Sequence, residues 1–499
     1  MSMHIRQAAI AAAVGAVFAG AAVSASATTT TIYGAGASAV KNAVQLLVLK
    51  DYCAGGTINF YDNGTATISA GGQPGGATFL ISCNTSSSSG ITASTINIGY
   101  DTSGGSWKAF TAVNSALYTT AGSQSTLNAN PVATVSLTGC TVQSAAVMAV
   151  LSNTFTINYN YNCAVRNLVP GTDVVSFGLT DVEAALFTNT ADNQPLVNNS
   201  WATTSNGPEP IFSPFTTNAG NELSGFPAPV FGVVLGIGAS KNLYSALQYD
   251  QIATGVIPST CTAGTISTPS SICAPVITRA QYASIVNNTG SSMNSDLTAG
   301  GTGGLFTSHI PTAGTFELAR RDQGSGTQAS SNAFFLNDGC SSSSTEPVDT
   351  PQLPYGSAGN VSYNATTSAA QGKIISPTLD GGTGFSIGVV SVENESKWSA
   401  GAGFLKLDGY YPSAANAAAG KYSYVSEENL HFHKTSTGDE LTFANDLTNQ
   451  TAGSNKVNES AYNYGVGLAA NGIVGIFSNI NLNATYGNSG LLCSGWQHL

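Results

Sequence analysis

Two guanidiniums, Arg320 and Arg321, stand just before the turn Gly324-Ser325-Gly326-Thr327, and Gln328 to Phe335 then reads as the opening of a helix. Such a turn presents backbone N–H groups at the positive end of a helix, and Ser325 and Thr327 add hydroxyl donors. Arginine contributes a planar fork suited to the oxygens of a tetrahedral anion. The combination reads as an anion clamp. Gly-Ser-Gly-Thr is also an ordinary loop composition, so the segment acquires meaning only in company.

Three further segments supply that company. Tyr33-Gly34-Ala35-Gly36-Ala37-Ser38-Ala39-Val40 ends a short strand, Thr31-Ile32-Tyr33, and opens a helix through Leu49. Asp101-Thr102-Ser103-Gly104-Gly105-Ser106-Trp107-Lys108 again reads as strand, Ser/Gly turn and helix. Val175-Ser176-Phe177-Gly178-Leu179-Thr180-Asp181 places an acid at the end of an apolar strand. In this order the four segments resemble those of the phosphate-binding proteins of ABC importers. The resemblance runs, with gaps, from about Tyr33 to about Tyr411.

The resemblance implies an α/β chain with the two-lobe type 2 periplasmic-binding-protein fold, built on mixed central sheets. It also implies a ligand set. Ser38 and the backbone of Ala39 would donate from the first turn, and Thr102, with Ser103 beside it, from the second. Asp181 would be the acid at the lobe interface, while Arg321, Ser325, Gly326 and Thr327 close from the other lobe. A carboxylate there accepts the proton of phosphate and penalises sulfate, which has none to offer at neutral pH. Each of Ser38, Thr102 and Asp181 has a plainer role open to it as a helix cap. One position departs from the family pattern. The acid that stands before Gly-Ser-Gly-Thr is replaced by Gln323, with Asp322 shifted by one. Either Gln323 replaces that acid, orienting Arg321 less strongly, or a local shift lets Arg320 and Asp322 serve.

Charged residues make up 8% of the chain and the formal net charge is −11. No basic stripe exists to neutralise phosphodiesters, which argues against nucleic acid or an anionic membrane as partners. Met1 to Ala27 reads as a secretory signal: His4 and Arg6, an Ala/Val-rich run from Ala8 to Val23, then Ala25-Ser26-Ala27. No later apolar run is long enough to span a bilayer. The expected location is the periplasm or the cell exterior. Eight cysteines in an oxidising compartment favour disulfides. Proximity pairs Cys53–Cys83, Cys140–Cys163 and Cys261–Cys273 and leaves Cys340–Cys493 as a long-range tie, with other pairings open.

A chain of this length exceeds one core. The expected division is a first lobe from 28–230 plus 389–499 and a second lobe from 231–388. Pro227 to Ile237 and Thr383 to Val390 read as the crossing strands, and Thr278 to Val286 as an amphipathic helix capped by Thr278. From about Asn114 to Val169 a Thr/Val/Asn-rich run with near-alternating pattern reads as an added, disulfide-stapled β insertion. Phe60 to Cys83 and Cys340 to Asn364 read as long polar or turn-like segments.

Other motifs compete for attention. Gly384-Phe385-Ser386-Ile387-Gly388 matches a nucleophile elbow, followed by Asp408 and His431 in hydrolase order, but a crossing strand explains it better. His431-Phe432-His433 puts two imidazoles on one strand face with no third ligand nearby, so a solvated face is the simpler account. Trp107 suits a cleft cover or a core position. No catalytic residue, cofactor or metal is expected. The sequence thus points to capture of phosphate or a similar oxyanion by hinge closure, serving an ABC-type permease. The alternative is a secreted surface, matrix or adhesive protein on a binding-protein fold with a degenerate anion site. Low charge, the insertions and Gln323 favour that alternative.

Overall fold

The structure is a computed structural model. It describes residues 28–64, 75–103, 105–113, 125–127, 139–143, 147–150, 153–167, 175–182, 186–187, 222–224, 228–266, 272–286, 306, 308–309, 316–321, 324–336, 361–364, 366–377, 384–392, 398, 401–448, 473–474, 486–487 and 497–498. The signal segment, Asp322, Gln323, Cys340 and Cys493 lie outside these residues.

The chain is α/β. Among the described residues a 14-stranded mixed sheet runs through it, and its two parts join on one long strand, Ala228–Ser240. Ala228 to Val234 pair antiparallel with Val425–Phe432, whereas Leu235 to Ala239 pair antiparallel with Phe385–Ser391. Beyond Val425–Phe432 follow Val175–Thr180, Thr29–Gly36, Thr95–Asp101, Thr78–Asn84, Asn59–Asp62, Tyr159–Cys163 and Cys140–Gln143. Beyond Phe385–Ser391 follow Phe316–Arg321 and Val361–Asn364.

Direction along these strands decides where the turns meet. Thr29–Gly36 is parallel to both Thr95–Asp101 and Val175–Thr180. Phe316–Arg321 is parallel to both Val361–Asn364 and Phe385–Ser391. The two parallel groups run in opposite senses and flank opposite halves of Ala228–Ser240. Their carboxyl ends therefore converge toward its middle, where loops of open α/β sheets gather ligands. Val175–Thr180 and Phe316–Arg321 are buried along their whole length, as strands covered on both faces are.

Both readings of crossing strands fall on strands. The second, Phe385–Ser391, pairs with the far half of Ala228–Ser240, and so does Ala402–Phe404. Pairing returns to the first group only at Val425–Phe432. On this pairing we propose that the second lobe continues past 388 through Lys406–Leu407 and that the first resumes at Val425–Phe432.

The helix expected at Thr278 spans Arg279–Val286. Thr278 and Gln281 cap it reciprocally, Gln281 N–H to Thr278 Oγ1 at 3.1 Å and Thr278 N–H to Gln281 Oε1 at 2.9 Å. One local expectation changes. The segment from Phe60 to Cys83 begins and ends in paired strands, because Phe60, Phe79 and Ile81 are buried in the core. The helix expected after Asp101 is a 3-10 helix, Ser106–Ala112. Within the β insertion, Cys140–Gln143 and Tyr159–Cys163 extend the sheet and are joined by the Cys140–Cys163 disulfide. Cys53–Cys83 and Cys261–Cys273 are also bonded.

Candidate functional site

Arg321 is the last residue of its strand and only 2% exposed. A buried guanidinium requires partners for its fork, and three of them are neutral oxygens. Its Nε donates to Asn364 O at 3.1 Å, and its Nη1 donates to Thr367 Oγ1 at 2.6 Å. Nη1 also lies 3.5 Å from Ser38 Oγ, and Ser38 Oγ stands 3.2 Å from Thr367 Oγ1. Parallel register explains the meeting on one side, since Arg321 lies opposite Asn364 and Thr367 follows three residues on. Ser38 comes from the other parallel group, just past Gly36.

Asp181 follows directly on Val175–Thr180 and is 2% exposed. Its backbone is fixed by Ser426, whose Oγ donates to Asp181 O at 2.6 Å. Burial lifts its carboxyl above the ordinary value, while Ser106, its own backbone N–H, the Arg321 charge and Thr327 favour the charged form. Yet Oδ1 is buried and receives no hydrogen bond from the protein. The carboxylate lies against the start of the helix Gly326–Leu336, where only glycine fits: a Cβ on Gly326 would sit 1.4 Å from Asp181 Oδ1. Gly326 N–H donates to Ser106 Oγ at 3.1 Å. Nearby, Trp107 N–H donates to Gly324 O at 3.2 Å, and Gly105, at φ +99°, lets the backbones approach. The two halves thus touch through their turns.

Of the residues the sequence singled out, Ser38, Asp181, Arg321, Gly326 and Thr327 are gathered here, and Ser325 is buried in the same turn. Ala39 is buried in the 3-10 turn Ser38–Val40. Thr102 and Ser103 face elsewhere. Thr102 Oγ1 donates to Ala77 O at 2.8 Å, and Ser103 Oγ donates to Asp101 Oδ1 at 2.6 Å. Lys108 joins the Ser103 cluster with a buried ion pair to Asp101 at 3.0 Å. The residue of that turn that does reach the site is Ser106. Sequence spacing missed it, because a Thr-Ser-Gly-Gly-Ser run offers three hydroxyls and no rule for choosing among them. Thr367, in an Ala/Ser-rich stretch without a motif, gave no signal.

The competing motifs resolve structurally. Ser386 sits inside a strand with its N–H donating to Ser240 Oγ at 3.0 Å, which is no strand-to-helix elbow. The solvated face expected for the two imidazoles is not what forms: His431 is buried, its Nδ1 paired with Glu222 at 3.3 Å, while the half-buried His433 bonds Thr435 Oγ1 through Nδ1 at 2.6 Å. Trp107 is 1% exposed in a small core cluster with Phe110, Val182 and Leu186.

The raised Asp181 carboxyl has a measurable sign. A group whose folded pKa exceeds its unfolded value stabilises the fold below the unfolded pKa and loses that contribution as pH rises through the folded one. Asp181→Asn is therefore expected to match wild type in the acid limit. Above the unfolded value of 3.8 it should gain on wild type, with the difference level once the folded carboxyl has ionised. Urea denaturation across pH checks this, and a constant difference at every pH would contradict it.

No protein-family model and no curated protein matches the sequence. Solved structures do. One, provisionally assigned as a phosphate ABC transporter substrate-binding protein and solved with bound phosphate, is from Clostridium perfringens, 10% identical, TM-score 0.29, covering 50% of this chain and 70% of that one. Another is an ABC-type phosphate transport receptor from Vibrio cholerae, 13% identical, TM-score 0.26, covering 48% and 70%. A third, from Planctomyces limnophilus, is described as a possible phosphate binding protein, at 10% identity and TM-score 0.29 over 51% and 68%. The chain resembles these proteins. A likeness of this degree carries no argument about the ligand, which rests on the side chains alone. Among the described residues no helix is long and apolar enough to cross a membrane, and the disulfides suit an oxidising compartment.

Proposed function

We propose that this chain is an exported solute-binding protein that captures phosphate or a similar oxyanion between its two lobes, for ABC-type uptake. The observation that carries the reading is Asp181: a carboxylate 2% exposed, with one oxygen lacking any protein donor, set against a helix start beside Arg321. An orphaned buried oxygen of this kind costs free energy, and a protonated anion oxygen would satisfy it. Arg321 supplies the countercharge, and the hydroxyls of Ser38, Ser106, Ser325 and Thr327 supply neutral donors. Hinge closure about the shared strand would trap the anion without chemistry. Ser106 takes the place that the resemblance gave to Thr102 and Ser103.

Calorimetric titration of the phosphate-stripped protein with phosphate and with sulfate tests the reading. Phosphate should bind, sulfate should be excluded, and Asp181→Asn should shrink the difference between them. No heat with either anion would refute capture. That result would favour a surface or matrix protein, a reading supported by one observation: Gly326 N–H is already bonded to Ser106 and the Gly324 carbonyl to Trp107, so the halves are latched without a ligand.

A further inference from the structure

We infer that Asp101 and Lys108 are positioning residues of the anion site, a buried ion pair that closes the turn between them and sets Ser106 in reach of Asp181 and the helix start at Gly326; this rests on the oxyanion reading above. The turn needs such a brace. It carries two successive glycines, Gly104 and Gly105, the residue type that restricts a backbone least. Ser106 follows them directly and reaches the other half of the molecule, where its Oγ accepts the Gly326 N–H at 3.1 Å. The same hydroxyl lies beside the Asp181 carboxyl and favours its charged form.

One carboxylate ties the turn at both ends. On the strand side, Asp101 Oδ1 accepts Ser103 N–H at 2.9 Å, Ser103 Oγ at 2.6 Å and Thr78 Oγ1 at 2.8 Å. On the helix side, Lys108 Nζ lies 3.0 Å from Asp101 Oδ2 and 3.0 Å from Ser103 Oγ. Thr102 adds an anchor, its N–H and Oγ1 donating to Ala77 O at 2.9 and 2.8 Å. Ser106 stands two residues before Lys108 in the 3-10 helix that the ion pair holds down. Both charged side chains are buried, so water screens their attraction little. Neither has to touch the anion. Removing either one strands the other's charge and loosens the glycine turn, and Ser106 moves with it.

The test uses the full chain carrying Asp101→Asn, Ser106→Ala and the two together, with two readouts. Calorimetry gives the affinity for phosphate, and carbon-13 NMR gives the pH midpoint of the Asp181 carboxyl without ligand, assigned with Asp181→Asn. Asp101→Asn and Ser106→Ala should each weaken phosphate binding roughly tenfold, the size of a lost hydrogen bond to a charged group. Each should also raise the Asp181 midpoint, because a bond that favours the charged form is lost. The sign is diagnostic, since withdrawing the negative charge of Asp101 would by itself lower that midpoint. In the Ser106→Ala background, Asp101→Asn should change affinity by less than about threefold and raise the midpoint no further. A full second loss of affinity, or a midpoint that falls or stays in Asp101→Asn alone, overturns the assignment. If Asp101→Asn does not fold, Asp101→Asn/Lys108→Met, which strands no charge, takes its place. A wild-type chain that binds no phosphate overturns the oxyanion reading, and the Asp181 midpoints then still decide whether the ion pair positions Ser106.

Discussion

Gly326→Ala is expected to abolish tight anion capture and to lower stability at once. An added Cβ would meet Asp181 Oδ1 at 1.4 Å, Asp181 Cγ at 2.3 Å and Ser106 Oγ at 2.6 Å. None of these can simply swing away. Asp181 is a short side chain whose backbone is tied by Ser426, and Ser106 holds the Gly326 N–H. Overpacking of this kind costs about 1–3 kcal/mol, and the lost N–H bond adds to it. Binding should suffer more than folding, because the helix start and the carboxylate both leave the positions an anion would need. A loss of affinity on the order of a hundredfold or more is expected, since each tenfold corresponds to only about 1.4 kcal/mol. Removing the obstacle makes the argument checkable. The double variant Gly326→Ala/Asp181→Ala should recover stability relative to Gly326→Ala while binding stays lost, a coupling that independent sites would not show. Thermal denaturation and titration of the three variants decide it.

Arg321→Met should remove binding of every oxyanion tried, with a fall of roughly a thousandfold or more, the size expected when a buried charged donor is lost from its partner. Methionine fills similar space but leaves Asn364 O and Thr367 Oγ1 without their donor. It also withdraws the charge that favours ionised Asp181, so that carboxyl should titrate still higher. Arg321→Lys keeps the charge without the planar fork and should fall between wild type and Arg321→Met. Phosphate titration of both variants, with urea midpoints for the ligand-free proteins, provides the check. Equal affinity in Arg321→Met and wild type would remove Arg321 from the site.

Much of this architecture could be read in the residues. Strand-then-turn signals at Thr31–Tyr33 and Val175–Thr180 were strong because β-branched and aromatic runs end abruptly at Gly or Asp. Three cysteine pairs followed from proximity alone. Other features had no sequence period to betray them. Phe-Glu-Leu-Ala-Arg-Arg holds three charges, yet all six residues are buried as a strand, since partners supplied from distant segments decide their burial. The hydroxyls of Thr102 and Ser103 were legible as donors but not as donors already committed to Ala77 and Asp101. Thr367 meets Arg321 across 46 positions, through strand register that local composition does not encode. Hydrogen-bond choice within a turn is a tertiary property, whereas the place of the turn is a local one.

The disulfide-joined strand pair carrying Cys140 and Cys163 forms one edge of the sheet, three ladders from Thr95–Asp101 at its nearest. At about 4.8 Å per ladder, some 14 Å of paired backbone separates it from the nearest turn of the site. Changes at that range combine additively as a rule. Its exposed Val142 and Tyr159 can therefore be exchanged freely to suit whatever the outer surface meets, with little effect on the anion site. The margin of the sheet and its centre are thus free to change independently of one another.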